Sequence, residues 1–385
     1  MTLKILHIVS YVSPDGSYGG PLRVALNQAR ILRAAGHDVT LIAAAGGFSE
    51  KLPPEFDGIP VQLFKKLQVV PGSGFPGLTS PAMLFWIWRQ AKHFDVVHVH
   101  MARDLLTLPA AFLCSRTGVP LIIQTHGMVK PSSKLISKPL DAIATCPTLS
   151  KASVVLYLTS QEKANLLRLG TRRQSLTELR NAVAVPDEQA VEQVNGPADK
   201  PEVIFLARMH ARKRPHMVVK AAEGLREYYP NARFTLIGPD EGEGPRINAM
   251  VEQLGLKDTT SWSGPLPPPK TSERMRKASI FVLPSLNEPF GMSVVEAMAI
   301  GLPVIVTESC GLAEMINEQQ AGIVCDSSEQ GFVEAVEFLL RNPAKRAEIG
   351  RNARMVARQY YALDSLGKEL LDIYVQERNR QIGAI

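Results

Sequence analysis

Short apolar runs alternate with stretches of helical spacing along most of the chain. Residues 4–10 (KILHIVS) suit a strand buried on both faces. A loop rich in Gly, Ser and Pro follows, and residues 21–35 then set Leu22, Ala25, Leu26, Ala29 and Leu32 at helical intervals. Gly36 ends that helix where a left-handed residue is favoured. Further strands are expected at 39–44, 95–100 and 119–124. This β-α-β rhythm predicts a doubly wound parallel sheet that gathers ligands at the carboxyl ends of its strands. Residues 184–200 lack periodicity and read as a linker. The rhythm then restarts, with strands at 202–207, 233–238, 260–263, 280–284, 303–306 and 322–325, and helices at 215–228, 247–254, 270–278 and 293–299. Residues 343–385 carry helical spacing on both sides of a break at Tyr360 and Tyr361. The expected organisation is a domain over 1–190, a second over 191–362, and a helix over 363–385 placed to return to the first domain.

Composition agrees with two soluble α/β domains. The 385 residues exceed one ordinary core, and 45% hydrophobic with 21% charged residues excludes a disordered chain. No window of about 20 apolar residues exists to span a bilayer, and residues 1–10 lack the pattern of a cleaved signal peptide. The four cysteines contain no CxxC pair, which argues against a zinc ribbon or disulfide framework and fits a reducing cytoplasm. Charge is uneven: residues 1–190 carry 20 Lys and Arg against 12 Asp and Glu, the remainder 23 against 25. A basic first domain suits anionic lipid, a phosphorylated acceptor or nucleic acid, or is simply a basic surface. Residues 71–81 read as a flexible loop, and the apolar segment 83–88 (MLFWIW) behind it as a helix packed on the core. A second reading docks that segment, through Trp86 and Trp88, on the inner face of a membrane.

Chemistry concentrates in residues 285–296 (SLNEPFGMSVVE). Glu288 lies in the loop after a strand and Glu296 inside the following helix, with Pro289 turning the chain and Gly291 allowing close backbone approach. The N–H groups of Gly291, Met292 and Ser293 then sit at a helix N-terminus, where orphan donors and the dipole favour phosphate. Glu296 stands among Val294, Val295, Ala297 and Met298, neighbours a carboxylate avoids unless partnered. Arg208 and Lys213 follow the first strand of the second domain, a place where cations meet an anionic ligand. Arg212 and Arg214 of the same run read as surface. Gly19 and Gly20 are expected in the turn just before a helix opening at Pro21, with amides near a phosphate. They form no G-x-G-x-x-G fingerprint, and no P-loop is present. His126 follows a strand and precedes Gly127. His98 and His100 share one strand face, but core histidines explain them better than a metal pair, since no third ligand is in view. His7 receives no role.

Taken together, the Gly-Gly loop, His126-Gly127, Arg208 with Lys213, E-P-F-G and E-A-M-A-x-G-L-P-V resemble the family 4 retaining glycosyltransferases and their E-x7-E motif. The resemblance covers most of the chain and implies the GT-B fold, two Rossmann-like domains facing across a cleft. It implies that Glu288 contacts the donor sugar, that Glu296 holds the ribose hydroxyls, and that Arg208 and Lys213 bind the diphosphate. His126 would position the sugar, and the Gly19–Gly20 loop would close over phosphate. Gly264 and Leu266 would pack against the base, and Phe290 belongs to the donor loop. The implied reaction moves a sugar from a UDP-, GDP- or ADP-sugar to a glycan, lipid-linked or small-molecule acceptor by front-face attack, with no metal or other cofactor.

Competing readings are weaker. No carboxylate presents itself as a nucleophile for double displacement. A GT-B sugar-nucleotide 2-epimerase is the nearest alternative enzyme, and the E-x7-E spacing counts against it. No lysine is singled out as a pyridoxal-phosphate site for a phosphorylase. A polyanion-binding role is the alternative of a different class, but no aromatic stacking platform, helix-turn-helix or zinc finger supports nucleic acid as a partner.

Overall fold

In the computed structural model, which describes residues 2–14, 19–49, 51–70, 77–132, 137–186 and 200–383, strand β1 (Lys4–Val12) is buried at every position but its first. Its apolar run is what a central parallel strand requires. The chain divides into two units, residues 1–182 with 363–385, and residues 183–362. The boundary expected at 190/191 falls within 187–199, outside the described residues.

The first unit continues through β2 (Asp38–Ala45), β3 (Glu55–Phe56) and β4 (Ile59–Lys65). A small antiparallel pair follows, β5 (Leu67–Gln68) with β6 (Leu78–Thr79), then β7 (Val96–His100), β8 (Leu121–Gln124), β9 (Val154–Tyr157) and β10 (Leu176–Glu178). Eight strands form one sheet in the order β10-β9-β8-β7-β1-β2-β4-β3. The order reverses beside β1, so β1 and β7 frame the switch point where doubly wound sheets bind ligands. Its helices are α1 (Gly19–Ala34), α2 (Pro81–Gln90), α3 (Thr107–Cys114), α4 (Ser137–Leu140), α5 (Cys146–Lys151) and α6 (Ser160–Arg168). The apolar face expected of α1, Leu22, Ala25, Leu26, Ala29 and Leu32, is buried.

The second unit is a six-stranded, fully parallel sheet in the order β13-β12-β11-β14-β15-β16. Its strands are β11 (Glu202–Leu206), β12 (Arg233–Ile237), β13 (Thr260–Trp262), β14 (Ile280–Leu283), β15 (Val304–Thr307) and β16 (Gly322–Cys325). Its helices are α7 (His216–Leu225), α8 (Gly244–Gln253), α9 (Pro268–Arg276), α10 (Met292–Ala299), α11 (Ala313–Glu318), α12 (Glu329–Arg341) and α13 (Pro343–Tyr360). Here the switch point lies between β11 and β14. After a break at Tyr361–Ala362 the chain re-enters the first unit as α14 (Leu363–Ile382), whose Leu366, Leu370, Ile373 and Tyr374 join the core of Ile5, Leu26 and Ala29. Gly367 makes that seat: a Cβ there would stand 2.1 Å from Cγ2 of Ile31 on α1.

Three expectations change. Gly19 and Gly20 are the first residues of α1 and not a turn ahead of it. Pro21 tolerates this because N–H groups in a first turn have no helical acceptor to lose. Of the 71–81 loop, residues 71–76 lie outside the described residues, whereas Leu78–Thr79 is a strand and Pro81 opens α2. On α2, Met83 and Ile87 are buried and Phe85 and Trp88 exposed. Trp86 is instead half-buried between Phe64 and Phe94, with ring centroids 6.1 and 6.3 Å away, so it is not a lipid-facing residue. Among the described residues no helix is long and apolar enough to cross a membrane.

Candidate active site

The site residues of the second unit sit in loops at the carboxyl ends of adjacent strands. Lys213, after β11, donates to Oε2 of Glu288, after β14, so one ion pair bridges the switch point. The two side chains are only 13% and 8% exposed, so little water screens the pair. Local backbone holds it: the Leu286 N–H donates to the Arg212 carbonyl at 2.9 Å, Asn287 N–H to Ser309 Oγ at 3.0 Å, and Gly311 N–H to the Glu288 carbonyl at 2.8 Å. Arg214 (φ 53°) and Asn287 (φ 51°) are left-handed non-glycine residues in these same loops, and such strain collects where a site over-determines the backbone. Arg214 is not free surface, since it is half-buried and donates to the Ser327 carbonyl at 2.8 Å.

Gly291 opens α10 with φ 80°, and an added Cβ would stand 3.1 Å from Val294. The amides of Gly291, Met292 and Ser293 thus form the bare N-terminus expected from the sequence. Phe290 is buried edge-on against Tyr361 at 5.7 Å, anchoring the loop and not facing solvent. Glu296 does not stand in the apolar setting expected of it. Its sequence neighbours Val294, Val295, Ala297 and Met298 are buried, but Met292, Ser293 and Glu296 share the half-buried face of α10. Helical spacing, not an apolar shell, gives Glu296 its place.

Arg208 does not join the Lys213–Glu288 pair. Its Nη1 donates to both carboxylate oxygens of Glu241, at 2.6 and 2.7 Å, in the loop after β12. Beside it Gly238 (φ 146°) brings backbone so close to Ala207 that a Cβ would lie 2.0 Å from its carbonyl oxygen. Gly238 donates to the Gly264 carbonyl at 2.9 Å, tying Gly264 (φ 72°) to the same edge; Leu266 is half-exposed two residues on.

In the first unit His126 follows β8 with φ 51° and is almost fully buried. Burial pushes its imidazole down to about 3, so the ring is neutral near pH 7. Glu162 holds the loop: its Oε1 accepts from Thr125 Oγ1 and the Gly127 N–H, both at 2.5 Å, and its Oε2 from the Leu158 N–H at 2.7 Å. Burial raises the Glu162 carboxyl while those hydrogen bonds pull it down. Glu162, like Glu241, was missed in the sequence. Its signal is Thr159-x-x-Glu162, a capping box in which Thr159 caps α6, but the carboxylate reaches across to the neighbouring loop.

His98 and His100 do share a face, fully buried, and a third imidazole is at hand. His7 on β1 stands in register with His98, and ring nitrogens of His7, His98 and His100 lie within 4.8 Å of one another. Most of these nitrogens are already committed to hydrogen bonds with one another, His126 or Tyr374.

Two units, one on a mostly parallel and one on a fully parallel sheet, each with a switch point, have the architecture of a GT-B glycosyltransferase. The descriptions "Glycosyl transferase 4-like domain" and "Glycosyl transferases group 1" match residues 19–182 and 187–356. The chain belongs to this glycosyltransferase family. It is 25% identical to a D-inositol 3-phosphate glycosyltransferase of Xylanimonas cellulosilytica, over 95% of this chain and 94% of that one. Its fold is similar to Anabaena HepE in complex with UDP and glucose, with TM-score 0.76 and 19% identity over 96% and 99% of the two chains. Sucrose-phosphate synthase of Thermosynechococcus elongatus is also similar, with TM-score 0.74 and 19% identity over 97% and 98%.

Proposed function

We propose that the protein is a retaining, metal-independent transferase that takes a sugar from a nucleoside diphosphate sugar by front-face attack. The observation that carries this is the Lys213–Glu288 pair across the switch point, with the open N-terminus of α10 beginning three residues after Glu288. A diphosphate at that N-terminus meets the amides of Gly291, Met292 and Ser293 and the ammonium of Lys213. Positive groups there stabilise the charge that grows on the leaving phosphate, the work a divalent metal does elsewhere. Glu288, oriented by Lys213, takes the sugar hydroxyls. Glu296 lies on the same helix face as Met292 and Ser293 and takes the ribose, and Gly264 and Leu266 border the base. His126 offers its imidazole to the transferred sugar, and the amides of Gly19 and Gly20 open α1 toward a phosphate.

The relatives support a uridine nucleotide as the first donor to test and a phosphorylated polyol, such as D-inositol 3-phosphate, as the first acceptor. The experiment is calorimetry with UDP, GDP and ADP and their common sugars, in EDTA. Micromolar binding of one nucleotide, lost in Glu296→Ala, supports the assignment. Glu288→Ala is expected to lower turnover more than donor binding. Activity abolished by EDTA, or no nucleotide bound by folded protein, overturns the reading.

A further inference from the structure

The buried histidines form a single row ending at His126. His98 Nδ1 meets the Tyr374 hydroxyl at 2.6 Å, that hydroxyl meets His7 Nε2 at 3.1 Å, His7 Nδ1 meets His100 Nε2 at 3.2 Å, and His100 Nδ1 meets His126 Nε2 at 2.9 Å. His7, His98, His100 and Tyr374 are 0% exposed and His126 is 8% exposed, so the row runs from the core to the edge of the sheet. Burial holds all four imidazoles neutral and the phenol protonated near pH 7.

A neutral imidazole carries one N–H and one acceptor nitrogen, and a phenol one O–H. The four links can therefore be filled in three ways: with every proton pointing toward His126, with every proton pointing away, or with Tyr374 accepting from both His98 and His7, which leaves its own buried O–H without an acceptor in the row and is costly for that reason. The second way leaves an N–H on His98 Nε2, a buried atom with no hydrogen-bond partner among the described residues. The first way leaves only a lone pair there. An orphaned buried N–H is the rarer and more costly of the two. Filled the first way, His98, His7 and His100 each donate from Nδ1, Tyr374 donates to His7, and His126 accepts at Nε2.

We propose that His7, His100 and Tyr374 are positioning residues that fix His126 in its Nδ1–H form, so that it meets the sugar as a hydrogen-bond donor and not as a base. This rests on the reading that His126 contacts the transferred sugar. With Nε2 occupied and Nδ1 protonated, His126 accepts a proton only if the links from Tyr374 to His126 all reverse. The oxygen it selects is one with a free lone pair, a sugar hydroxyl or ring oxygen. Tyr374 brings α14 into the site's chemistry, although two imidazoles, His7 and His100, stand between it and His126.

The test is two-bond proton–nitrogen correlation spectroscopy on the full chain with nitrogen-15 labelled histidine at pH 7, with His126 assigned from its absence in His126→Ala. The expected result is four neutral rings protonated at Nδ1, the opposite of the form free histidine prefers. A His126 ring protonated at Nε2, or charged, overturns the proposal, as does protein purified with one zinc ion per chain on these imidazoles. In folded Tyr374→Phe the His126 signals are expected to move toward a mixture of the two forms, and unchanged signals overturn it. If that variant does not fold, the parent spectrum still decides. In transfer assays Tyr374→Phe and His126→Ala are each expected to weaken catalysis several-fold, with little added loss in the double variant; additive losses count against the row. Absence of nucleotide binding and transfer in the parent defeats the functional reading alone, since the spectrum needs no ligand.

Discussion

Lys213 and Glu288 share a hydrogen bond where water hardly reaches, so losing one partner strands the other's charge. Lys213→Ala is expected to destabilise the second unit by about 3 kcal/mol, as well as weaken diphosphate binding, and urea unfolding beside calorimetry separates the two effects. A variant that loses binding at parent stability would mean the pair carries no structural load. Arg208 presents the opposite case, because Glu241 competes with a diphosphate for its guanidinium. Glu241→Gln is expected to tighten binding of the nucleoside diphosphate by up to roughly fivefold, the worth of a partly exposed ion pair. Weaker binding would show instead that Glu241 orients Arg208 for its ligand. At this scale the positions of Glu288, Gly291 and Glu296 were legible because one loop and one helix set their spacing, and that of Lys213 because it follows the first strand of the second unit. Glu241, Glu162 and His7 were not, since each acts across strands that are far apart in sequence.

Among the elements, α14 and α1 meet at Gly367 and Ile31. Replacing glycine by alanine inside a helix ordinarily stabilises by about 1 kcal/mol, but here the new methyl strikes Ile31. Gly367→Ala is therefore expected to destabilise the first unit by about 1–3 kcal/mol. In an Ile31→Ala background the same change should become neutral or stabilising, and a loss of equal size in both backgrounds would place the strain elsewhere. The long periodic elements, α1, α13 and the strands β1, β2, β7 and β14, were readable from their apolar spacing. Of the strands with only three or four residues, β13, β15 and β16 were expected from the restarted rhythm of the second half, whereas β9 and β10 were not, since so few residues display no period and the burial that defines them comes from neighbours in the sheet. Glu296 shows the limit from the other side, since the assignment stood on an apolar setting that the helix turns away from it.

For the whole molecule, the buried imidazoles set a pH dependence. His7 and His126 are pushed down to about 3, and His98 and His100 lie well below their ordinary value, all by burial. Below about 6.5 the unfolded chain therefore binds protons that the folded one refuses, so stability falls as pH drops, by about 1.4 kcal/mol per pH unit for each fully titrating ring. Buried Asp104 and Glu162, raised from their ordinary range, act in the opposite sense, but they are two groups against four. The urea midpoint of the first unit is expected to drop between pH 7.5 and 5.5. A constant midpoint would mean that the rings are already charged in the native state.

The path of the chain carries one further consequence. Residues 1–182 leave the ribosome first, yet the helix that completes their core, residues 363–382, is translated only after the entire second unit. Until then the nascent first unit lacks the apolar face of that helix, and the imidazole row lacks its phenol. A product cut short between Ala362 and Tyr374 has its whole second unit and still has an unfinished first one. Functional assembly thus waits on synthesis of residues 363–382, and a truncated chain shows itself by the hydrophobic groove it leaves uncovered.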